Sequence, residues 1–241
     1  MSEASGRHGR TRGRALRFGP VGAALLVAFV AAQVTGIVIS PAEAGMGHLQ
    51  KIMYVHVPAA WSAFLAFGLV FVASILYLVR RKPKHDHLAA ASAEVGVVLT
   101  GLTLALGSIW GKPTWGVWWT WDPRLTSTAV LFVIFVGYLA LRAFVEDPQQ
   151  RGRWAAAVGI LGFLNVPIVY MSVRWWRTLH QPSSSPATVD DPYVWGLRIN
   201  AVIFVAVMAY LIRRRYQVYA VEAEIEALEE ERALAPGAER V

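Results

Sequence analysis

"LTLALGSIWGKPTWGVWWTWDPRLTSTAVLFVIFVGYLAL", residues 102–141, is a pair of apolar runs with a tryptophan-rich stretch between them. From Leu125 to Leu141 there is no Asp, Glu, Lys, Arg or His. About 20 apolar residues suffice for a helix to cross the hydrocarbon core of a bilayer. The segment therefore reads as one spanning helix, a short connection and a second spanning helix. Working outward from it, comparable runs lie at roughly 20–40, 57–79, 89–109, 125–145, 154–173 and 193–212. In lipid every backbone amide needs an internal partner, which repeated long runs achieve only as a helical bundle. The expected fold is an all-α integral membrane protein, a bundle of six transmembrane helices.

Composition supports this. The chain is 56% apolar and 16% charged, whereas soluble domains carry about a quarter charged residues. Cysteine is absent, which excludes disulfides, thiolate metal sites and self-attachment of haem through C-x-x-C-H. No G-x-x-x-x-G-K-[ST] occurs, so ATP hydrolysis by that route is excluded and no enzyme activity is expected. The net charge of +7 comes from basic residues flanking apolar runs, not from one basic face. It reads as a topology signal, and no nucleic-acid partner is expected.

Orientation follows from Lys and Arg. One side carries Arg7, Arg10, Arg12, Arg14 and Arg17, then "RRKPK" (80–84), Arg151 and Arg153, and "RRR" (213–215). The other has only Lys51, Lys112, Arg124, Arg174 and Arg177. The richer side is expected to be cytoplasmic, with both termini on it. Three parts result: a basic cytoplasmic segment 1–19, the membrane bundle 20–212 and a cytoplasmic tail 213–241. The outer loops are 41–56, 110–124 and 174–192. An Ala-x-Ala-like site at Ala42–Ala44 would suit signal cleavage, but an apolar core of about 20 residues is long for a signal, so a retained helix is expected. The segment 216–233 reads as an amphipathic helix, more a solvated tail than a docking helix.

Trp110, Trp115, Trp118, Trp119 and Trp121 crowd the middle outer loop. An interfacial aromatic belt explains one or two indoles per loop, not five within twelve residues. Gly111, Pro113 and Gly116 among them spoil a plain helix and would lay the indoles out as a surface. Flat aromatic faces suit a flat aromatic ligand.

Of six histidines, His8, His85 and His87 fall in cytoplasmic segments and read as exposed polar residues, and His48 is a weak candidate. His56, in "KIMYVHVPAAW", and His180, in "SVRWWRTLHQP", lie at the tryptophan face. Either alone can be structural. Together they can ligate a metal held in a flat macrocycle, since haem iron takes two axial ligands and His is a common one. Haem propionates would want cations, best Arg. Arg124, Arg174, Arg177 and Lys112 are the outward supply, or else contact lipid head groups. Asp122 is expected to orient its loop by accepting hydrogen bonds or by pairing with Arg124. Arg198, inside the sixth run, would face protein or water and pair with Asp122 or a propionate. Glu94 and Arg142 sit near cytoplasmic ends, and the interior is otherwise poor in ionisable groups, against an ion-coupled transporter.

"WGKPTWGVWWTWD" (110–122) resembles the WWD signature of the haem-handling proteins of cytochrome c assembly. The flanking "KIMYVHVPAAW" (51–61) and "VPIVYMSVRWWRTLHQ" (166–181) resemble the outer histidine segments of its small six-helix members, the CcmC-like proteins. The likeness covers roughly residues 46–200. Larger WWD relatives, CcmF and CcsA, have more spans and extra membrane histidines. The resemblance implies that haem b is handled as transient cargo at the outer, periplasmic face of a bacterial inner membrane. It implies delivery to a CcmE-like haem chaperone, beside an ABC-type complex of CcmA, CcmB and CcmD-like subunits. It makes His56 and His180 the axial ligands, with Trp115, Trp118, Trp119, Trp121 and Asp122 as the platform. Pro182, where a Gly is expected, and Trp61, where a smaller residue is expected, depart from the pattern and bear on loop shape. Two rival readings are a small-molecule permease and a structural membrane subunit of a transporter.

Overall fold

The structure, a computed structural model, describes residues 19–182, 189 and 191–234. His8 and the basic segment up to residue 18 lie outside the described residues, as do most of the turn-rich 183–190 stretch and the last seven residues. Helix α1 (Pro20–Gln33) runs into a π-helical turn, Val34–Ile39. A 3-10 turn, His48–Ile52, leads into α2 (Met53–Arg80). Then come α3 (Pro83–Trp115), α4 (Pro123–Phe144), α5 (Pro148–Phe163), α6 (Asn165–Trp175) and α7 (Asp191–Leu234). α5 and α6 meet at Leu164 and form one span, so among the described residues six segments are long and apolar enough to cross a membrane. The chain is an all-helical multi-pass membrane protein.

The starts and stops are local chemistry. Helices α1, α3, α4 and α5 begin on a proline (Pro20, Pro83, Pro123, Pro148), where the missing N–H costs nothing and φ is preset. Asp122 and Asp147 cap α4 and α5 by accepting the backbone N–H groups of Arg124 and Gln150. α3 stops at Gly116, which takes a left-handed φ of 80° that glycine adopts without strain.

The structure departs from expectation in the middle outer loop. Residues 110–115 are helical, so the connection shrinks from 110–124 to 116–122. Pro113 removes one hydrogen bond, but the last turn is held otherwise. Thr114 Oγ1 donates to the Trp110 carbonyl at 2.8 Å, Gly116 N–H to the Lys112 carbonyl at 3.0 Å, and Lys112 Nζ to the Gly116 carbonyl at 2.9 Å. The first outer connection likewise shortens, because helical structure begins at His48.

Small residues let the spans approach closely. Ala59, Ala63, Ala66 and Ala73 of α2 and Ala89, Ala91 and Ala93 of α3 are buried in one core with Phe67, Leu131 and Phe135. α1 is tied to α7 by polar contacts: Gln33 Nε2 donates to Asn200 Oδ1 at 2.7 Å, and Asn200 Nδ2 to the Ala32 carbonyl at 3.1 Å. Outside the hydrocarbon such bonds compete with water. Inside it they supply specificity that apolar contact lacks.

At the basic end the carboxylates are paired. Arg142 grips Asp86 through two bonds of 2.6 and 2.8 Å. Arg215 pairs with Glu94, which also accepts from Tyr219 Oη at 2.6 Å. Two expectations are corrected here. His85 is buried and His87 stacks beside Tyr219, so neither is a freely solvated side chain. The segment after residue 215 is not wholly solvated, since Tyr216 and Tyr219 pack against the bundle core. Its exposed residues are Glu222 and Glu224–Leu234.

Candidate functional site at the tryptophan end

Four elements converge on one open-mouthed cleft at the end opposite the paired carboxylates. α2 contributes His56, Ala60, Trp61 and Phe64, and α3 contributes Thr103, Gly107, Trp110 and Trp115. α4 contributes Arg124 and Thr128, and the segment after α6 contributes His180, Gln181 and Pro182. At 1.5 Å rise per residue, the eight residues from His56 to Phe64 carry the cleft roughly 12 Å along the helix axis.

His56 stands in the first turn and a half of α2, edge-on to the Trp110 ring with centroids 5.9 Å apart. Trp110 is buried with Met53, Tyr54 and Leu197, so it forms a fixed inner wall. The other side of the imidazole lies on Gly107. A Cβ there would sit 3.1 Å from His56 Cε1. His56 Nδ1 is buried, and no hydrogen bond of ordinary geometry reaches it.

His180 is half-buried on the loop after α6, with its ring centroid 6.4 Å from that of Trp115. Its Nδ1 is 2.8 Å from the Gln181 carbonyl. A carbonyl only accepts, so Nδ1 carries the proton and Nε2 keeps its lone pair. Burial, then the nearby Arg124 charge, push the His180 imidazole below its ordinary value of 6.5, although the Gln181 carbonyl works the other way. The ring is therefore neutral at physiological pH.

Asp122 joins two loops. Its Oδ1 accepts from Arg124 N–H at 2.9 Å, and its Oδ2 accepts from Thr178 Oγ1 at 2.6 Å and Leu179 N–H at 2.7 Å. Burial opposes ionisation, but those bonds outweigh it and hold the carboxyl below the usual range. The expected hydrogen-bonding role is present. Of the two partners expected for Arg198, Asp122 is not the one it meets: its guanidinium lies over the Trp195 ring, 5.1 Å from its centroid.

The candidate residues divide. His56, His180, Trp110, Trp115, Trp119 and Arg124 line the cleft. Trp118 and Trp121 do not: they are 59% and 81% exposed. Arg177 is exposed and also outside it, and His48 is exposed on the 3-10 turn. Trp61 and Pro182, the two departures from the expected pattern, both line the cleft. Gly107 and Thr178 were not singled out in the sequence. A glycine inside an apolar helical run costs about 1 kcal/mol against alanine, which is the signal that marks Gly107 as a close approach. Thr178 carries no such signal, because its partner is 56 positions away.

The fold and the cleft define a class: a multi-pass helical membrane protein with an indole-walled pocket, bearing two imidazoles, open at one end. Comparison with known families narrows it. The family model for heme exporter protein C (CcmC) matches residues 10–231, and the chain belongs to that family. Proteins named heme exporter protein C are similar to it. That of Bradyrhizobium diazoefficiens is 40% identical over 170 residues, 69% of this chain and 65% of that protein. That of Escherichia coli K12 is 38% identical over 169 residues, 70% and 69%. That of Rhodobacter capsulatus is 33% identical over 235 residues, 94% and 95%.

Proposed function

We propose that this chain is a haem-handling factor of cytochrome c assembly. It holds haem b as transient cargo in the cleft at the tryptophan end and passes it to a membrane-tethered chaperone of the CcmE type. It acts beside ABC-type subunits of the CcmA, CcmB and CcmD kinds. The cleft faces the periplasm from a bacterial inner membrane, and both termini are cytoplasmic. The single observation that carries the reading is that His56 and His180, 124 positions apart, line one aromatic pocket.

The residues present fit haem. His180 offers an unprotonated Nε2 fixed by the Gln181 carbonyl, the arrangement by which a second hydrogen bond sets the tautomer of a ligating imidazole. His56 presents a second imidazole from a rigid helix. Trp110, Trp115 and Trp119 supply apolar faces, and Arg124 supplies a cation for a propionate. Two imidazoles fill both axial positions of the iron, which suits carriage over oxygen chemistry. Trp118 and Trp121 are exposed, Trp121 edge-on to the cleft-lining Trp119, and would be open to a docking acceptor.

The test is the absorption spectrum of the full-length protein purified in detergent. We expect bound haem with a six-coordinate spectrum, and loss of that spectrum in both His56→Ala and His180→Ala. A normal six-coordinate spectrum in both variants would remove the ligand assignment.

A further inference from the structure

We propose that Thr178 is a positioning residue for His180, and that opening the Asp122–Thr178 clasp is the step that frees one axial position of the iron. This rests on the ligand assignment just given. The two imidazoles are held in unequal ways. His56 belongs to a 28-residue helix, α2, wedged between Trp110 and Gly107. His180 belongs to a loop, five residues beyond the end of α6 at Trp175.

That loop is fastened to the rest of the pocket through Asp122. The Thr178 hydroxyl acts in two directions: Oγ1 donates to Asp122 Oδ2 at 2.6 Å and accepts from His180 N–H at 3.0 Å. Leu179 N–H adds a second bond to the same carboxylate oxygen at 2.7 Å. Asp122 is itself 6% exposed and committed as the cap of α4. So the placement of the His180 backbone is transmitted from a helix terminus through the Thr178 hydroxyl and the neighbouring Leu179 N–H. The Leu179 side chain, 57% exposed, adds little apolar anchoring.

With haem bound, the His180 side would let go before His56, because its loop hangs on the Thr178 hydroxyl and Leu179 N–H at Asp122 while His56 is seated in a helix. The imidazole would leave as a neutral ligand, with no electron or proton moved, and His56 would retain the cargo.

The experiment uses full-length protein loaded with haem and compares Thr178→Val, Thr178→Ser and His180→Ala with the wild type. Spin state is read by absorption and electron paramagnetic resonance, and haem loss by transfer to excess apomyoglobin. Valine keeps the shape of threonine and removes the hydroxyl. We expect Thr178→Val to convert a large fraction of the haem from low-spin to high-spin and to speed its loss roughly tenfold, the size of one lost buried charge-assisted bond. Thr178→Ser is expected to match wild type within about twofold, because the hydroxyl remains. Should Thr178→Val stay fully low-spin with unchanged loss while His180→Ala turns high-spin, the clasp proposal fails and the ligand assignment stands. An unchanged spectrum in His180→Ala would overturn both.

Discussion

At the scale of single residues, the site depends on close fits around two imidazoles. Gly107 gives the sharpest case. Alanine there would put a methyl group 3.1 Å from His56 Cε1, so the ring must shift by a few tenths of an ångström. Alanine also favours the helix by about 1 kcal/mol over glycine. The two effects separate by assay. Gly107→Ala should leave the thermal midpoint of the apoprotein unchanged or raised, while weakening haem binding roughly tenfold, the lower end of an overpacking penalty. A titration with haem alongside a melting curve checks both. Asp122 gives a pH prediction. Its folded pKa is depressed, so its contribution is fully present above the unfolded value of about 3.9 and fades as pH falls through the lower folded value. Asp122→Asn loses one of two acceptor oxygens and should destabilise the apoprotein by about 1–3 kcal/mol. The melting-point gap between it and wild type should hold from pH 8 to about 5 and close only below about pH 4.

At the scale of elements, much was legible because bilayer thickness is a strong constraint. Each apolar run became a span. The helix ends near the tryptophans were not legible. Pro113 and Gly111 read as breakers, yet α3 passes through both to Gly116, its last turn reinforced by Thr114 Oγ1 on the Trp110 carbonyl and Lys112 Nζ on the Gly116 carbonyl. Sequence spacing does not show such side-chain support of a helix end. The packing of α1 was equally hidden, since Gln33 and Asn200 meet across 167 positions. That pair makes a prediction of its own. Asn200→Leu removes bonds to Gln33 and Ala32 and leaves Gln33 unpaired, so it should cost about 1–2 kcal/mol. The expected drop of a few degrees in the thermal midpoint should not appear in Phe144→Leu, whose side chain is 84% exposed.

At the scale of the whole molecule, the two ends do different work. One end locks carboxylates to arginines and tyrosines, with the stretch of the long α7 around Arg215 and Tyr219 packed over it. The other leaves imidazoles and indoles around open space. That two histidines would share a pocket was readable from alternation of the spans: each lies at the same end of its helix. Which indoles would face inward was not, because Trp118 and Trp121 differ from Trp115 and Trp119 only through the left-handed turn at Gly116 and the run into the Asp122 cap. The proposed orientation predicts that fusions at the C-terminus fluoresce with a cytoplasmic reporter and stay inactive with an alkaline phosphatase reporter. The reverse pattern would invert the site. The central claim, that His56 and His180 bind one iron, is tested most directly by imidazole rescue read by electron paramagnetic resonance. Ferric haem in the wild type should give a low-spin signal. His56→Ala and His180→Ala should each give a high-spin signal that millimolar imidazole returns to low-spin. A low-spin signal that survives in either variant before imidazole is added would contradict the account.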